Sequence, residues 1–247
     1  MKKPASLSWT DAASLPLVWL TALTTLNAPY TLLPPPSTEG KAAPPAVVIL
    51  GGSSSVGVYC VQYAVKMLGL RVIATCSSRN AAFVRDTLGA SEVIDYTSED
   101  IAARLKELKP VDGYASIIDC VGGTELFGTV PGLLTPRSDN FKSGGAYVTI
   151  VGDKTSRASM GGPLTYYWTP AQVMRHFWGW WGSGFRYYNV QLEQRKDYLA
   201  EACDALEQGK LEVIVDSTFA FDDVPKAYER LNSARARGKV VVSVKED

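Results

Sequence analysis

The stretch Ala46-Val47-Val48-Ile49-Leu50 runs directly into Gly51-Gly52-Ser53-Ser54-Ser55-Val56-Gly57, and Val58-Tyr59-Cys60-Val61 follows. Val47–Leu50 is a short unbroken apolar run, the pattern of a strand buried on both faces. Val58, Val61, Ala64, Val65 and Leu68 then share one helical face. A glycine-rich turn between strand and helix lets backbone N–H groups at the helix start face a pyrophosphate. Read as G-x-G-x-x-G, the turn has Gly52 first, Gly57 last, and Ser54 in place of the middle glycine. On this reading Gly52 permits the tight turn, and Gly57 lets the helix approach the strand. The hydroxyls of Ser54 and Ser55 add donors to phosphate oxygens. A plain Gly/Ser turn has the same composition; the strand before it and the helix after it favour the phosphate loop.

Outward from this point, strands and helices alternate. Strands are expected at Val72–Thr75, Glu92–Ile94, Tyr114–Asp119 and within Gly144–Val151, then at Val213–Phe219 and Val240–Val244. Helices are expected at Val58–Leu68, Arg79–Leu88, Glu99–Leu108, Leu192–Gln208 and Val224–Leu231. Such alternation predicts an α/β fold, a Rossmann-type doubly wound parallel sheet with helices on both faces and strand order 3-2-1-4-5-6. Ahead of it, Asp11 is placed to cap a helix over Ala12–Leu26. Pro29, Pro34-Pro35-Pro36 and Pro44-Pro45 then make a stiff connection. Residues 1–45 thus form a linker helix and Pro-rich connection, and residues 46–247 the nucleotide-binding domain.

The nucleotide is chosen at the end of the second strand. An NAD-preferring domain places a carboxylate about 20 residues beyond the glycines to accept the ribose hydroxyls. Here the chain reads Ser77-Ser78-Arg79, two hydroxyls and a guanidinium. Arginine can hold a ribose 2′-phosphate in a forked, charge-assisted pair, so NADP(H) is expected over NAD(H). Tyr96, after the third strand, is either a stacking or hydrogen-bonding neighbour of the adenosine or a plain half-buried tyrosine.

Composition narrows the function classes. The chain has 247 residues, and its 25 Lys and Arg balance 25 Asp and Glu. That balance gives no general electrostatic case for nucleic acid or an anionic membrane. Cys60, Cys76, Cys120 and Cys203 form no C-x-x-C pair and read as buried reduced thiols. With a single histidine, His176, no metal site is expected. Lys2-Lys3 before an apolar run raises a signal peptide, but no small-residue cleavage site follows cleanly. The expected location is the cytoplasm, with the mitochondrial matrix as alternative.

As a set, VVILGGSSSVG (47–57), VIATCSSRN (72–80), LGASEVIDYTSED (88–100) and IIDCVGG (117–123) resemble the cofactor half of the zinc-free medium-chain dehydrogenase/reductases. That group includes quinone oxidoreductases and enoyl reductases, among them trans-acting ones of polyketide pathways. GGAYVTIVGDKTS (144–156), RHFWGWWGSGFRYYNV (175–190) and FDDVPKAYERLNSARARGKVVVSV (221–244) resemble the branch of reticulon-interacting mitochondrial oxidoreductases. The resemblance implies NADPH-dependent hydride transfer to an activated C=C or a quinone. It places Ser54, Ser55 and Val56 at the pyrophosphate, and Ser77, Arg79 and Tyr96 at the adenosine phosphate. It places Cys120 and Val121 near the nicotinamide ribose, and Val151 and Gly152 beside the nicotinamide. Lys239 either sits near the cofactor or simply starts the last strand. A homodimer through the sheet edge is implied. SLSWTDAASLPLVWLTALTTL (6–26) resembles the family's linker helix, which a GroES-like β-barrel normally precedes; the chain is read as lacking that barrel.

Catalytic residues are not assigned. Aromatic residues crowd Tyr166–Tyr188, with Gly179, Gly182 and Gly184 among them. Core packing around a loop, a partner contact, and a mobile wall for a small-molecule substrate all remain open; in the last case His176, Trp178, Trp180 and Trp181 line it. Besides a reductase of enoyl, polyketide-like or quinone substrates, two other readings stand. One is a diverged member catalysing a non-redox cyclisation or elimination. The other is a non-catalytic nucleotide-binding scaffold.

Overall fold

A computed structural model describes residues 3–27, 31, 33, 43–139, 141–153, 170–180 and 184–244. Six described strands form one parallel sheet: β1 (Ala46–Leu50), β2 (Arg71–Cys76), β3 (Glu92–Asp95), β4 (Ser116–Asp119), β5 (Ala146–Thr149) and β6 (Arg186–Asn189). Their order is β3-β2-β1-β4-β5-β6, every pairing parallel, as the doubly wound reading expects.

The apolar runs explain why the sheet is covered twice. Successive strand residues point to opposite faces. Val47 and Ile49 join a core with Val72, Ala74 and Ile118, while Val48 and Leu50 join a second core with Ile73 and Ile117. The first core is roofed by α2 (Pro16–Leu26), α3 (Gly57–Gln62, continued by a wider turn at Tyr63–Met67) and α8 (Lys196–Glu207). The second lies under α5 (Ile101–Leu108) and α6 (Val130–Leu133), through Leu105, Val130 and Leu133. Trp19 ties the linker helix to the domain. It is fully buried, its Nε1–H donates to the Tyr198 carbonyl at 2.7 Å, and its ring meets Tyr63 edge-on at 5.6 Å.

Five expectations are corrected. Ser8, not Asp11, caps the first helix: its Oγ accepts the Asp11 N–H at 3.0 Å. Pro16 then divides that segment into α1 (Trp9–Ser14) and α2. The predicted helices 58–68 and 79–88 each end in a single over-wide turn, closed by Leu68 N–H to Tyr63 O and Leu88 N–H to Phe83 O. The second of them begins as α4 (Ser78–Ala82). Part of the aromatic stretch is regular structure: α7 (Pro170–Trp180) and edge strand β6. Tyr187 faces the core, whereas Arg186 and Tyr188 are half-buried, so an edge strand hid inside a sequence without apolar alternation. Finally, β7 (Val215–Ala220) and β8 (Lys239–Ser243) do not extend the main sheet. They pair with each other, bracket α9 (Val224–Asn232), and have no fully buried residue.

Candidate functional site

The strand order reverses between β1 and β4, and a ligand of such a sheet lies across the carboxyl ends of the strands at that point. The turn after β1 sits there. Gly51 takes φ +79°, and a Cβ on it would stand 2.4 Å from Val121 Cγ1. The tight turn therefore belongs to Gly51. Gly52, to which the sequence reading gave it, serves close packing: a Cβ there would lie 2.9 Å from Ala74 Cβ. Gly57 does what the motif requires, since a Cβ would fall 2.1 Å from the Gly51 carbonyl oxygen. The turn is pinned to β2 by Gly52 N–H to Thr75 O at 2.8 Å and Gly51 N–H to Thr75 Oγ1 at 2.9 Å.

The serines divide their work. Ser54 Oγ accepts the Gly57 N–H at 3.1 Å and so holds the helix start. Ser55 Oγ donates to the Gly238 carbonyl at 2.6 Å, joining the loop to the start of β8 and hence to Lys239. Ser53 Oγ accepts from Asn80 Nδ2 at 3.1 Å. The backbone N–H groups of Ser53, Ser55 and Val56 have no acceptor among the described residues. Unpaired amides at a helix start are what a pyrophosphate takes.

At the end of β2, Ser77 is half-buried and Ser78 and Arg79 are exposed. Arg79 does not stand alone. A hollow of about 290 Å³ is lined by Arg79, Asn80, Asp216, Arg230, Arg235 and Arg237. Arg230 is committed to Asp216 at 2.7 and 2.6 Å, a pairing that holds the Asp216 carboxyl well below its ordinary range, at about 2. Arg237 donates to Asn80 Oδ1 at 3.2 and 3.0 Å and lies 4.5 Å over the Phe83 ring. Among the described residues the Arg79 guanidinium donates only to the Arg235 carbonyl, at 3.3 Å, and the Arg235 side chain has no acceptor. The sequence reading found Arg79 but missed Arg230, Arg235 and Arg237, because they are brought in from over 150 positions along the chain. The run Arg230…Arg235-Ala236-Arg237 was the available signal. Asp95, at the end of β3, was also missed. Its carboxylate is turned away into its own loop, accepting Thr97 N–H at 3.0 Å and Thr97 Oγ1–H at 2.7 Å, which lowers its pKa. Tyr96 beside it is 55% exposed, which leaves its ring open to a ligand.

On the other side of the switch point, Cys120 is buried and Val121 exposed after β4, while Val151 is half-buried and Gly152 buried after β5. The Cys120 thiol is raised well above its usual range by contact with the Cys60 thiol and by burial. His176 and Trp178 lie on α7, which packs against the outer strand β6; His176 Nδ1 is 3.0 Å from the Tyr187 carbonyl oxygen. A second hollow of about 240 Å³ lies there, lined by His176, Phe177, Arg186, Tyr187 and Tyr188. The Trp180 side chain and Trp181 fall outside the described residues.

Residues 88–242 match a family model described as zinc-binding dehydrogenase. The chain belongs to this family, that of the medium-chain dehydrogenase/reductases. It is 35% identical over 252 residues to the mouse (Mus musculus) NAD(P)H oxidoreductase RTN4IP1, mitochondrial, covering 98% of this chain and 57% of that protein. It is 32% identical over 205 residues to the trans-enoyl reductase pgmF of Aspergillus terreus, covering 79% and 51%. Among solved structures, the quinone oxidoreductase of Coxiella burnetii superposes with a TM-score of 0.71 at 27% identity, covering 99% of this chain and 64% of that one. Mycobacterial Rv1454c, solved in complex with NADPH, gives 0.71 at 25%, covering 98% and 66%. The chain thus spans less than two thirds of the length of the relatives it matches. Despite the family's description, no group of three or more His, Cys, Asp or Glu that could hold a metal ion occurs among the described residues. Among the same residues, no helix is long and apolar enough to cross a membrane.

Proposed function

We propose that this chain binds NADP(H) across the β1/β4 switch point and serves the reduction of an activated C=C, enoyl or polyketide-like, or of a quinone. The observation that carries this reading is the arginine-lined hollow, tied through Asn80 and Ser53 to a turn whose Ser53, Ser55 and Val56 amides have no acceptor among the described residues. Four guanidinium groups face a single carboxylate there. That excess of positive charge suits a 2′-phosphate and not the bare ribose of NAD(H). The glycine turn passes the same test of fit, because each of its close approaches would be filled by a Cβ.

When bound, the cofactor would supply the hydride; the protein's part is orientation and exclusion of water. The turn Gly51–Gly57 would hold the pyrophosphate, with Ser53, Ser55 and Val56 presenting N–H groups. Arg79 and Arg235 would hold the adenosine phosphate, Ser77 and Ser78 would add hydroxyls, and Tyr96 would flank the base. The loops after β4 and β5, carrying Val121 and Val151, would border the nicotinamide half. The relatives named as NAD(P)H oxidoreductase, trans-enoyl reductase and quinone oxidoreductase support the choice of substrate class.

Two subsidiary proposals follow. The outer edge of β6 has no strand against it among the described residues, and Phe177 and Trp178 beside it are 47% and 55% exposed. An open edge of this kind takes a partner, and a second copy of the chain is the partner proposed. The buried thiols of Cys60, Cys76 and Cys120 suit a reducing compartment, the cytoplasm or alternatively the mitochondrial matrix.

The test is titration with NADPH and with NADH, followed by NADPH oxidation against an ortho-quinone and a 2-enoyl thioester. Tighter binding of NADPH and its oxidation by either acceptor are expected. Binding of neither nucleotide overturns the proposal. Binding with no turnover on either acceptor confines it to the cofactor.

A further inference from the structure

Asp119 and Thr149 face each other in register on the neighbouring strands β4 and β5, and both are fully buried. Each ends its strand in the same way, with a side-chain oxygen accepting the N–H groups two and three residues ahead. Asp119 Oδ1 accepts Val121 N–H at 3.0 Å and Gly122 N–H at 2.8 Å. Thr149 Oγ1 accepts Val151 N–H at 3.2 Å and Gly152 N–H at 2.8 Å. The Thr149 hydroxyl then donates to Asp119 Oδ2 at 2.8 Å, so one carboxylate sets the spacing of both loops.

The loop after β5 is also held from its far side. Gly152 takes φ +81°, and a Cβ there would lie 2.3 Å from Gln172 Nε2. The next residue, Asp153, is ion-paired to Arg175 at 2.7 Å and accepts the Tyr187 hydroxyl at 3.1 Å. Burial pushes the Asp119 carboxyl up, while the donors Val121, Gly122, Thr149 and Tyr147 oppose that shift. A buried carboxylate is costly, and this one serves no ion pair among the described residues. What it does hold is the pair of loops at the carboxyl end of the sheet.

We infer that Asp119 is a positioning residue for the nicotinamide half of the cofactor: through Thr149 it locks residues 120–123 and 150–153 into one seat of fixed width. The inference rests on the cofactor reading above, in which that half lies over the ends of β4 and β5. The adenosine half lies over β2 and β3, on elements this bridge does not touch. Breaking the bridge therefore separates the two ends of the dinucleotide in a binding experiment.

The experiment compares NADPH with adenosine 2′,5′-bisphosphate, which carries the adenosine phosphates and lacks the nicotinamide. Thr149→Val removes the shared hydroxyl at nearly constant volume, and Thr149→Ser keeps it. In Thr149→Val, NADPH affinity should fall about tenfold and bisphosphate affinity should stay within about twofold. The fluorescence gain of bound reduced nicotinamide should also shrink at saturation, because a loose seat leaves the ring wetter. Thr149→Ser should restore both. Thermal melting checks that each variant is folded; should Thr149→Val not fold, Asp119→Asn carries the same comparison. A purely structural role would weaken both ligands alike or neither, and either result overturns the inference. Failure of the unsubstituted protein to bind NADPH would instead overturn the cofactor reading beneath it.

Discussion

If the hollow holds a 2′-phosphate as proposed, replacing Arg79 and Arg235 together by alanine should abolish the preference for NADPH and leave a site that barely distinguishes the two nucleotides. Of the four guanidinium groups around the hollow, Arg230 is committed to Asp216 and Arg237 to Asn80 and the Phe83 ring. Arg79 and Arg235 are the two left for an incoming phosphate. A charge-assisted hydrogen bond contributes about 1.5–3 kcal/mol, and both side chains are exposed, so the lower end applies. That is roughly tenfold for each arginine and up to about a hundredfold for both. The two touch through the Arg235 carbonyl at 3.3 Å, so their effects should fall short of additive. NADH has no 2′-phosphate, and its affinity should change by no more than about twofold. The assay is fluorescence titration with both nucleotides at two salt concentrations. Added salt should weaken NADPH binding to the unsubstituted protein more than to the variant. Equal losses for NADH and NADPH would show that the arginines support the loop and not a phosphate. No loss for either would remove the hollow from the site.

Gly57→Ala should disable the phosphate turn, because its Cβ would press on backbone at Gly51 O, which cannot swing aside as a side chain would; nucleotide titration should show no binding and melting a less stable fold. Trp19→Ala should cost about 3–5 kcal/mol in denaturant unfolding, through the lost ring and the orphaned Tyr198 carbonyl; a cost below about 1 kcal/mol would mean the linker helix is not part of the cooperative core. Asp216 is lowered from 3.8 to about 2, first by its hydrogen bond to Arg230, so its contribution is present above about pH 4 and fades as pH falls toward 2. The full gap is worth about 2.5 kcal/mol, which screening beside half-open Arg230 reduces to about 1 kcal/mol. Asp216→Asn should lower stability at neutral pH by that amount and flatten the acid limb of a pH–stability curve; an unchanged limb would show that the ion pair contributes nothing.

What the sequence made legible follows from locality. The phosphate turn is readable because its strand, its glycines and its helix lie within about 20 consecutive residues, and each residue type answers a steric demand made by a near neighbour. The same holds for Ser77–Arg79, which follow directly from the end of β2. The doubly wound sheet was readable because apolar runs as dense as Val47–Leu50, which suit strands buried on both faces, alternate with helical segments along the chain. Even here the local reading slipped by one residue. Positive φ falls on Gly51, while Gly52 is kept small by Ala74 across the sheet, and no spacing rule distinguishes a glycine needed for its torsion from one needed for its size.

What stayed hidden depends on residues distant in the chain. The hollow at Arg79 is completed by Arg230, Arg235 and Arg237, which the β7–α9–β8 unit carries back to the end of β2. Ser55 Oγ to Gly238 O and Arg237 to Asn80 are the seams that fix this unit to the loop. A pattern read along the chain shows three arginines near the end of a helix and gives no reason to set them beside residue 79. Strand β6 escaped for a related reason. As an edge strand it buries Tyr187 and leaves Arg186, Tyr188 and Asn189 half-buried, so Arg-Tyr-Tyr-Asn carries no alternation to recognise. Asp119 escaped because a buried carboxylate within an apolar run reads as a strand end. Its partner Thr149 lies 30 residues on, and only the register of β4 with β5 reveals that the two close one hydrogen-bonded bridge. In a doubly wound sheet each strand end brings its own turn, and the chemistry is set by how neighbouring turns are spaced. That spacing is a property of strand pairing, and this is why the turn after β1 could be read from one segment while the bridge between the loops after β4 and β5 required the sheet.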